Sequence, residues 1–364
     1  MRLTKHLELF FKHKISKLIG LCLNTTAIKP EDIEKETITQ ILLIRQDSRL
    51  GNLLLMTPLI SSLHDSFPDA KIDLLISEGF EDVLRNNSCI NRLIVFEKQK
   101  ARLKPWSYVS LLRSLQQTRY DCAVDVYDGH HFSLNNVLLT GFSGARYKIG
   151  YDRKNARSFF NVLVPVLPED THMADALLGL GQYLSSELRD YPMHYDVLEE
   201  DRMFANNWLR DKGIAGLDSF FIIHPGGKGS KKWGLENFSE LIDILTDELG
   251  VRIVVIGGSS EKETIETIRE NSKSEFDILQ NITIGQMAAV IERCDLFISG
   301  DTGPMHLSVS LDRPTVAIFI KSDFRVYGPR GPKSRIVLNR QGMPATDDVM
   351  NAVNDLFNNP VDLC

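Results

Sequence analysis

Ile298-Ser-Gly-Asp-Thr-Gly-Pro-Met-His-Leu307 is a strand, a tight turn and the opening of a helix. The apolar run 296–298 has the character of a buried strand. It breaks at Ser299, Gly300, Asp301, Thr302 and Gly303, and Pro304 then opens an apolar-periodic helix. Proline suits the first helical turn, where its missing N–H has no partner to lose. The outward-pointing amides of such a turn, beside the positive end of the helix dipole, favour an anion, typically a phosphate. The Asp301 carboxylate would repel a bare phosphate but suits sugar hydroxyls lying next to one. A phosphorylated sugar is therefore the first ligand expected.

The surrounding chain repeats this strand-loop-helix unit. In the first half, Ile41-Leu-Leu-Ile44 is a short buried strand, 45–51 a polar loop and 52–67 an apolar-periodic helix ending before Pro68. Strands follow at 71–76, 92–96 and 121–126, with a helix around 107–118. Residues 145–200 are less regular, and the acidic run at 196–201 marks a crossing into a second unit. There the rhythm restarts with strands at 220–223, 252–256, 295–298 and 315–319 and a helix over 235–248. Strands that are nearly all apolar and alternate with helices predict parallel sheets covered on both faces. The expected fold is α/β with two Rossmann-like domains, at 40–200 and 201–364, their parallel sheets facing across a ligand cleft.

Composition narrows the function. The 364-residue chain is 43% hydrophobic and 25% charged, globular values, and its formal net charge of −6 argues against a nucleic-acid partner. Five scattered cysteines without a Cys-x-x-Cys pair predict neither a disulfide framework nor a zinc site and suit the cytoplasm. No apolar run approaches the ~20 residues that span a bilayer. Residues 1–23 differ from the rest, with Leu3, Leu7, Phe10, Phe11, Ile15 and Leu18 at helical spacing between lysines. Such a basic amphipathic helix is either an anchor on an anionic membrane surface or a helix packed on the protein's own body. Residues up to 39 then form a linker.

Two further loops follow strand carboxyl ends, where α/β proteins bind ligands. In Arg45-Gln-Asp-Ser-Arg-Leu-Gly-Asn52, Gly51 permits a tight turn, Asp47 is a candidate general base, and Arg45 or Arg49 could bind an anion. The alternative is that Asp47 caps the turn and the arginines are solvated. In His224-Pro-Gly-Gly-Lys-Gly-Ser-Lys-Lys-Trp233, exposed backbone amides and Lys228, Lys231 and Lys232 suit a diphosphate, although no Walker A motif is present. This loop lies beside Asp301 if the two strands are neighbours. His130 and His131 lack partners at metal-ligand spacing, His172 and Asp175 suit capping or packing, and no Asp-x-Asp triplet suggests a carboxylate-held Mg²⁺. No metal is expected.

Together these loops resemble glycosyltransferase family 9, the bacterial lipopolysaccharide heptosyltransferases. The resemblance rests on the Ile-Arg-x-Asp-x-x-Gly loop with Thr57-Pro58, on Phe67-Pro-Asp-Ala-Lys-Ile-Asp73, and on Gly144-Ala-Arg-x-x-x-Gly-Tyr151. His224-Pro-Gly, Lys231-Lys-Trp233 and Ser299-Gly-Asp-Thr-Gly-Pro-Met-His306 complete it. It runs from about Ile41 to Phe319.

The resemblance implies a two-domain GT-B architecture and inverting, metal-independent transfer of a heptose from ADP-heptose, a donor substrate rather than a cofactor, to a lipopolysaccharide-core acceptor. The amino-terminal domain would hold the acceptor, with Arg45, Arg49 and Gly51 at its site, and the carboxy-terminal domain the nucleotide sugar. Asp301 would contact donor hydroxyls, while Thr302, Gly303 and Lys231 bind the diphosphate. Met305 and His306 would line that site, and the backbone of Gly226 and Gly227 would serve where relatives use side chains. The family's base is usually an aspartate directly after the first loop's glycine; this chain has Asn52. An amide cannot accept the proton, so Asp47 becomes the expected base and Asn52 an orienting group. A catalytically impaired family member that binds a nucleotide sugar, or a transferase with another donor, are the alternatives. An epimerase is disfavoured by the acceptor-domain match. Lipopolysaccharide core is built on the cytoplasmic face of the inner membrane, which fits a cytoplasmic, peripheral enzyme held through residues 1–23.

Overall fold

The structure is a computed structural model that describes residues 19–20, 26–47, 49–185, 187–216, 219–227, 233–339 and 342–358. The chain forms two compact units, Met1–Arg49 with Leu55–Pro192 and Leu50–Leu54 with Met193–Cys364. The residues of the proposed amino-terminal helix lie almost wholly outside the described set.

The first unit carries a six-stranded parallel sheet in the order β3-β2-β1-β4-β5-β6. Its strands are β1 (Gln40–Arg45), β2 (Lys71–Ser77), β3 (Arg92–Phe96), β4 (Cys122–Asp125), β5 (Tyr147–Tyr151) and β6 (Val162–Val164). After β1 come α1 (Leu50–Leu54) and α2 (Thr57–Ser66), then α3 (Glu81–Leu84), α4 (Lys98–Leu103), α5 (Pro105–Thr118), α6 (Leu134–Gly141) and α7 (Met173–Gly181). Where one helix was expected over 52–67, the chain makes two. Pro58 has no N–H for the carbonyl four residues back, so the first helix stops at Leu54 and the second starts at Thr57 with Pro58 in its first turn. Residues 26–39, expected as a linker, are mostly exposed but bury Ile33 and Ile38. His172 caps α7, its Nδ1 accepting from the Ala174 amide at 3.3 Å.

The second unit repeats the plan in the order β12-β11-β10-β7-β8-β9. Its strands are β7 (Phe220–His224), β8 (Arg252–Gly257), β9 (Asp277–Gln280), β10 (Leu296–Gly300), β11 (Thr315–Phe319) and β12 (Ser334–Leu338). Its helices are α8 (Glu199–Asp211), α9 (Leu235–Leu249), α10 (Lys262–Asn271), α11 (Ile284–Ile291), α12 (Gly303–Ser310), α13 (Phe324–Tyr327) and α14 (Thr346–Asn358). α9 shows why such a unit holds. Phe238, Leu241, Ile242 and Leu245 fall on one stripe and lock against Phe221, Ile223 and Val255 of the sheet. Each side chain so buried contributes about 1.5–3 kcal/mol. Gly250 ends the helix at φ 64, the left-handed conformation glycine adopts without steric cost.

In both parallel sheets the order of strand addition reverses beside the first strand, between β1 and β4 and between β10 and β7. These are the topological switch points outside which open α/β sheets bind ligands.

Candidate active site

In the second unit, β7 and β10 are parallel neighbours with Ser299 opposite His224. The two glycine-containing loops therefore emerge side by side, and a Cβ on Gly300 would stand 3.5 Å from the carbonyl oxygen of Gly226. The Ser299 and Thr302 hydroxyls are 2.9 Å apart, and each lies 3.4 Å from His224 Nδ1. Burial of His224 lowers its pKa to about 4, so the ring is neutral at physiological pH. A neutral ring donates from one nitrogen and accepts at the other, and can thus set the direction of a neighbouring hydroxyl. The ring lies over Gly226, where a Cβ would fall 2.1 Å from its Cε1. A side chain at this position would force the ring to move.

Thr302 occupies the cap position of α12 without using its side chain as a cap. At α11, by contrast, Thr283 accepts from the Gln286 amide in a full capping box. The hydroxyl of Thr302 is directed to Ser299 and His224 instead. The amino terminus of a helix is suited to phosphate. Asp301 stands in the turn before it, half-buried. Met305 points the other way, fully buried with Ala317 and Phe319. His306 faces α1, and a Cβ on Gly51 would stand 2.4 Å from its Cδ2. Gly51, expected on the acceptor side, thus packs within the second unit beside His306. Lys228, Lys231 and Lys232 lie outside the described residues, while Trp233 beyond them is buried and donates from Nε1 to the Pro344 carbonyl at 2.8 Å.

The first unit's switch point holds a buried polar cluster. Arg45 is 1% exposed; Nη1 donates to the Val126 carbonyl at 2.8 Å and Nη2 meets Asp47 at 3.3 Å. Asn136 joins the ends of β1 and β4, donating to the Ile44 carbonyl and to Asp125 while accepting from the Gln46 amide. Arg153 bonds the wholly buried Asp125 and the carbonyls of Asp128 and His131. Burial pushes the Asp125 carboxyl above its ordinary range, against the pull of Arg153, Asn136 and Arg45. Tyr127 lies over Arg45 at 5.6 Å and is pushed up by burial and by the charges of Asp47 and Asp128. His131 Nδ1 meets Asp128 at 2.9 Å, its ring exposed. Arg49 is exposed, and Asn52 is half-buried within α1. The acidic end of β4 and Arg153 escape sequence reasoning as a pair, although an aspartate closing an otherwise apolar strand is a visible signal. No group of three metal-ligating side chains occurs among the described residues.

The profile of glycosyltransferase family 9 (heptosyltransferase) matches residues 108–354, more than half of the chain. The chain belongs to glycosyltransferase family 9. It is similar to lipopolysaccharide heptosyltransferase 3 of Escherichia coli, at 28% identity over 77% of this chain and 83% of the relative. Among solved structures, a family 9 glycosyltransferase of Veillonella parvula superposes with a TM-score of 0.81 at 21% identity, covering 88% of this chain and 97% of that one. The Escherichia coli ADP-heptose lipopolysaccharide heptosyltransferase II superposes at 0.71 with 21% identity, covering 88% and 99%. As a family 9 chain the protein is a glycosyltransferase, and its two six-stranded parallel sheets are the Rossmann-like halves of a GT-B fold. Among the described residues no helix is long and apolar enough to cross a membrane.

Proposed function

We propose that this family 9 enzyme transfers a heptose from an ADP-activated donor to a lipopolysaccharide-core acceptor, with inversion and without a metal. The observation that carries the donor assignment is the α12 terminus bordered by the Ser299–Thr302–His224 hydroxyl network. The names of the relatives support heptose and lipopolysaccharide. Thr302, Gly303 and the backbone of Gly226 and Gly227 receive the diphosphate, Asp301 contacts the sugar, and the buried His306 backs the site. Met305 serves through its backbone, its side chain belonging to the core. Lys231 adds positive charge to the leaving diphosphate. Oriented amides and fixed charge of this kind stabilise a departing diphosphate without a metal.

On the acceptor side, Asp47 takes the proton of the attacking hydroxyl, Asn52 orients that hydroxyl, and Arg49 meets anionic groups of the acceptor. Arg45 acts indirectly, since its buried guanidinium holds Asp47 in place. General-base assistance is typically worth 10²–10⁴-fold, so Asp47→Asn should lower kcat by about that factor and leave donor binding intact. Full turnover in that variant would remove the role. The chain acts in the cytoplasm at the inner-membrane face, with residues 1–23 toward anionic lipid.

Asn52, in the place of the usual base, favours a second reading: a member that binds the donor and transfers slowly or not at all. Incubation with ADP-heptose and acceptor core in the presence of EDTA, followed by mass measurement, separates the two. A heptosylated product supports transfer; donor binding without product supports the second reading. Proton NMR of the new anomeric centre tests inversion.

A further inference from the structure

From Lys98 to Tyr120 the sequence contains no acidic residue, although the whole chain carries a net charge of −6. Lys98, Lys100, Arg102, Lys104, Arg113 and Arg119 lie in this stretch, which forms α4 and α5. Lys100 pairs with Glu97 at 2.8 Å; Lys98, Arg102, Lys104 and Arg113 have no acidic partner among the described residues. α5 is anchored by its inner face, where Tyr108, Leu111, Leu112 and Leu115 pack into the core that holds Phe96. Phe96 and Tyr108 meet edge to face at 5.7 Å.

The outer side is apolar as well. Leu103 is 79%, Trp106 67% and Val109 46% exposed, and Trp106, Val109 and Arg113 recur at the spacing of one helical stripe. Scattered exposed apolar side chains are ordinary, but an exposed tryptophan beside an exposed leucine, ringed by unpaired cations, forms a patch.

We infer that the outer face of α4 and α5 docks on an anionic bilayer, with Leu103, Trp106 and Val109 entering the headgroup boundary and the flanking lysines and arginines meeting lipid phosphates. The chemistry matches on both counts. Apolar side chains gain by leaving water at the acyl boundary, tryptophan favours the interfacial layer, and basic residues are drawn to the negative surface potential. A second copy fits less well, because an isologous contact would set this basic patch against itself. A nucleic acid gives Leu103 nothing to bury against. In sequence this stretch is distinct from residues 1–23 and from the loops assigned to donor and acceptor.

The test uses the full chain and vesicles of equal parts phosphatidylcholine and phosphatidylglycerol, without lipopolysaccharide. Of the chain's three tryptophans, Trp106 is the exposed one, Trp208 is half-buried and Trp233 lies in the core. Vesicles should shift the emission to the blue, brominated lipid should quench it, and both effects should vanish in Trp106→Phe. A Leu103→Ser/Trp106→Ser variant should bind these vesicles more weakly by about tenfold or more, the scale set by withdrawing two large apolar side chains. Its unchanged thermal midpoint would show that it folds. Quenching that persists in Trp106→Phe, equal binding to pure phosphatidylcholine, or an unaltered affinity in the double variant would overturn the inference. So would concentration-dependent self-association abolished by the double variant without any vesicle binding. None of these readouts involves sugar transfer, so the docking face and the proposed reaction can fail independently.

Discussion

The hydroxyls of Ser299 and Thr302 stand 2.9 Å apart across the turn that joins β10 to α12. Each also lies 3.4 Å from one nitrogen of His224 on the adjacent strand. A strand-turn-helix that reads as an anion site thus has a polar floor contributed from 75 residues upstream.

Thr302→Ala should weaken ADP binding by about 10- to 100-fold, the effect of losing one hydrogen bond to a charged group. Thr302→Ser, which keeps the hydroxyl, should restore most of the affinity. Titration calorimetry with ADP reads both variants. Equal affinity in Thr302→Ala and the parent would detach the hydroxyl from the diphosphate.

Gly226→Ala places a methyl group where the His224 ring now lies, with 2.1 Å between Cβ and Cε1. The ring must swing away, and the hydroxyl network loses its nitrogen partner. ADP affinity should fall as it does in His224→Ala, and the double variant should be little worse than either alone, as expected of residues acting through one contact. Additive losses would show two separate roles.

Acid should destabilise the protein through His224. The folded ring titrates at about 4, whereas an unfolded imidazole titrates near 6.5. Between those values the unfolded chain binds a proton that the folded chain refuses, so stability is full above 6.5 and declines as pH falls toward 4. The loss approaches about 3 kcal/mol from this group. His224→Gln should flatten that part of the profile, measured as the urea midpoint from pH 7 to pH 4.5.

Arg153→Met should cost about 3–5 kcal/mol, because it strands the Asp125 carboxylate in a buried site. Asp125→Asn/Arg153→Met, with no charge left unpaired, should recover much of the loss. Urea unfolding followed by circular dichroism distinguishes the two variants.

The central strands of both sheets were legible because β1, β7, β10 and β11 are near-continuous apolar runs, the mark of strands covered on both faces. Of the strands at or beside the sheet edges β3 was legible, but β5, β6 and β12 were not. β6 is three residues long, β5 interrupts its pattern with Lys148 and Gly150, and β12 opens with Ser334 and Arg335. The adjacency of the His224 and Ser299 loops was expected only if their strands were neighbours, a condition that the pairing of β7 with β10 meets. The burial of Arg45 was not expected, since its carbonyl partner on Val126 lies 81 residues away and only folding pairs them. Separation in sequence likewise hides the Asp125–Arg153 pair, 28 residues apart, and the contact of His224 with Ser299, 75 residues on.

The short helix Leu50–Leu54 belongs by packing to the second unit, although it follows the first strand of the first. Gly51 accommodates the His306 ring, and a Cβ on Gly303 would come within 2.9 Å of Leu50 Cβ. The two glycines are therefore one inherited unit. A chimaera of two relatives joined between residues 192 and 193 would mate one parent's Leu50–Leu54 with the other parent's α12. Recombination that respects this fold must carry those five residues with the carboxy-terminal half, or replace both helices together.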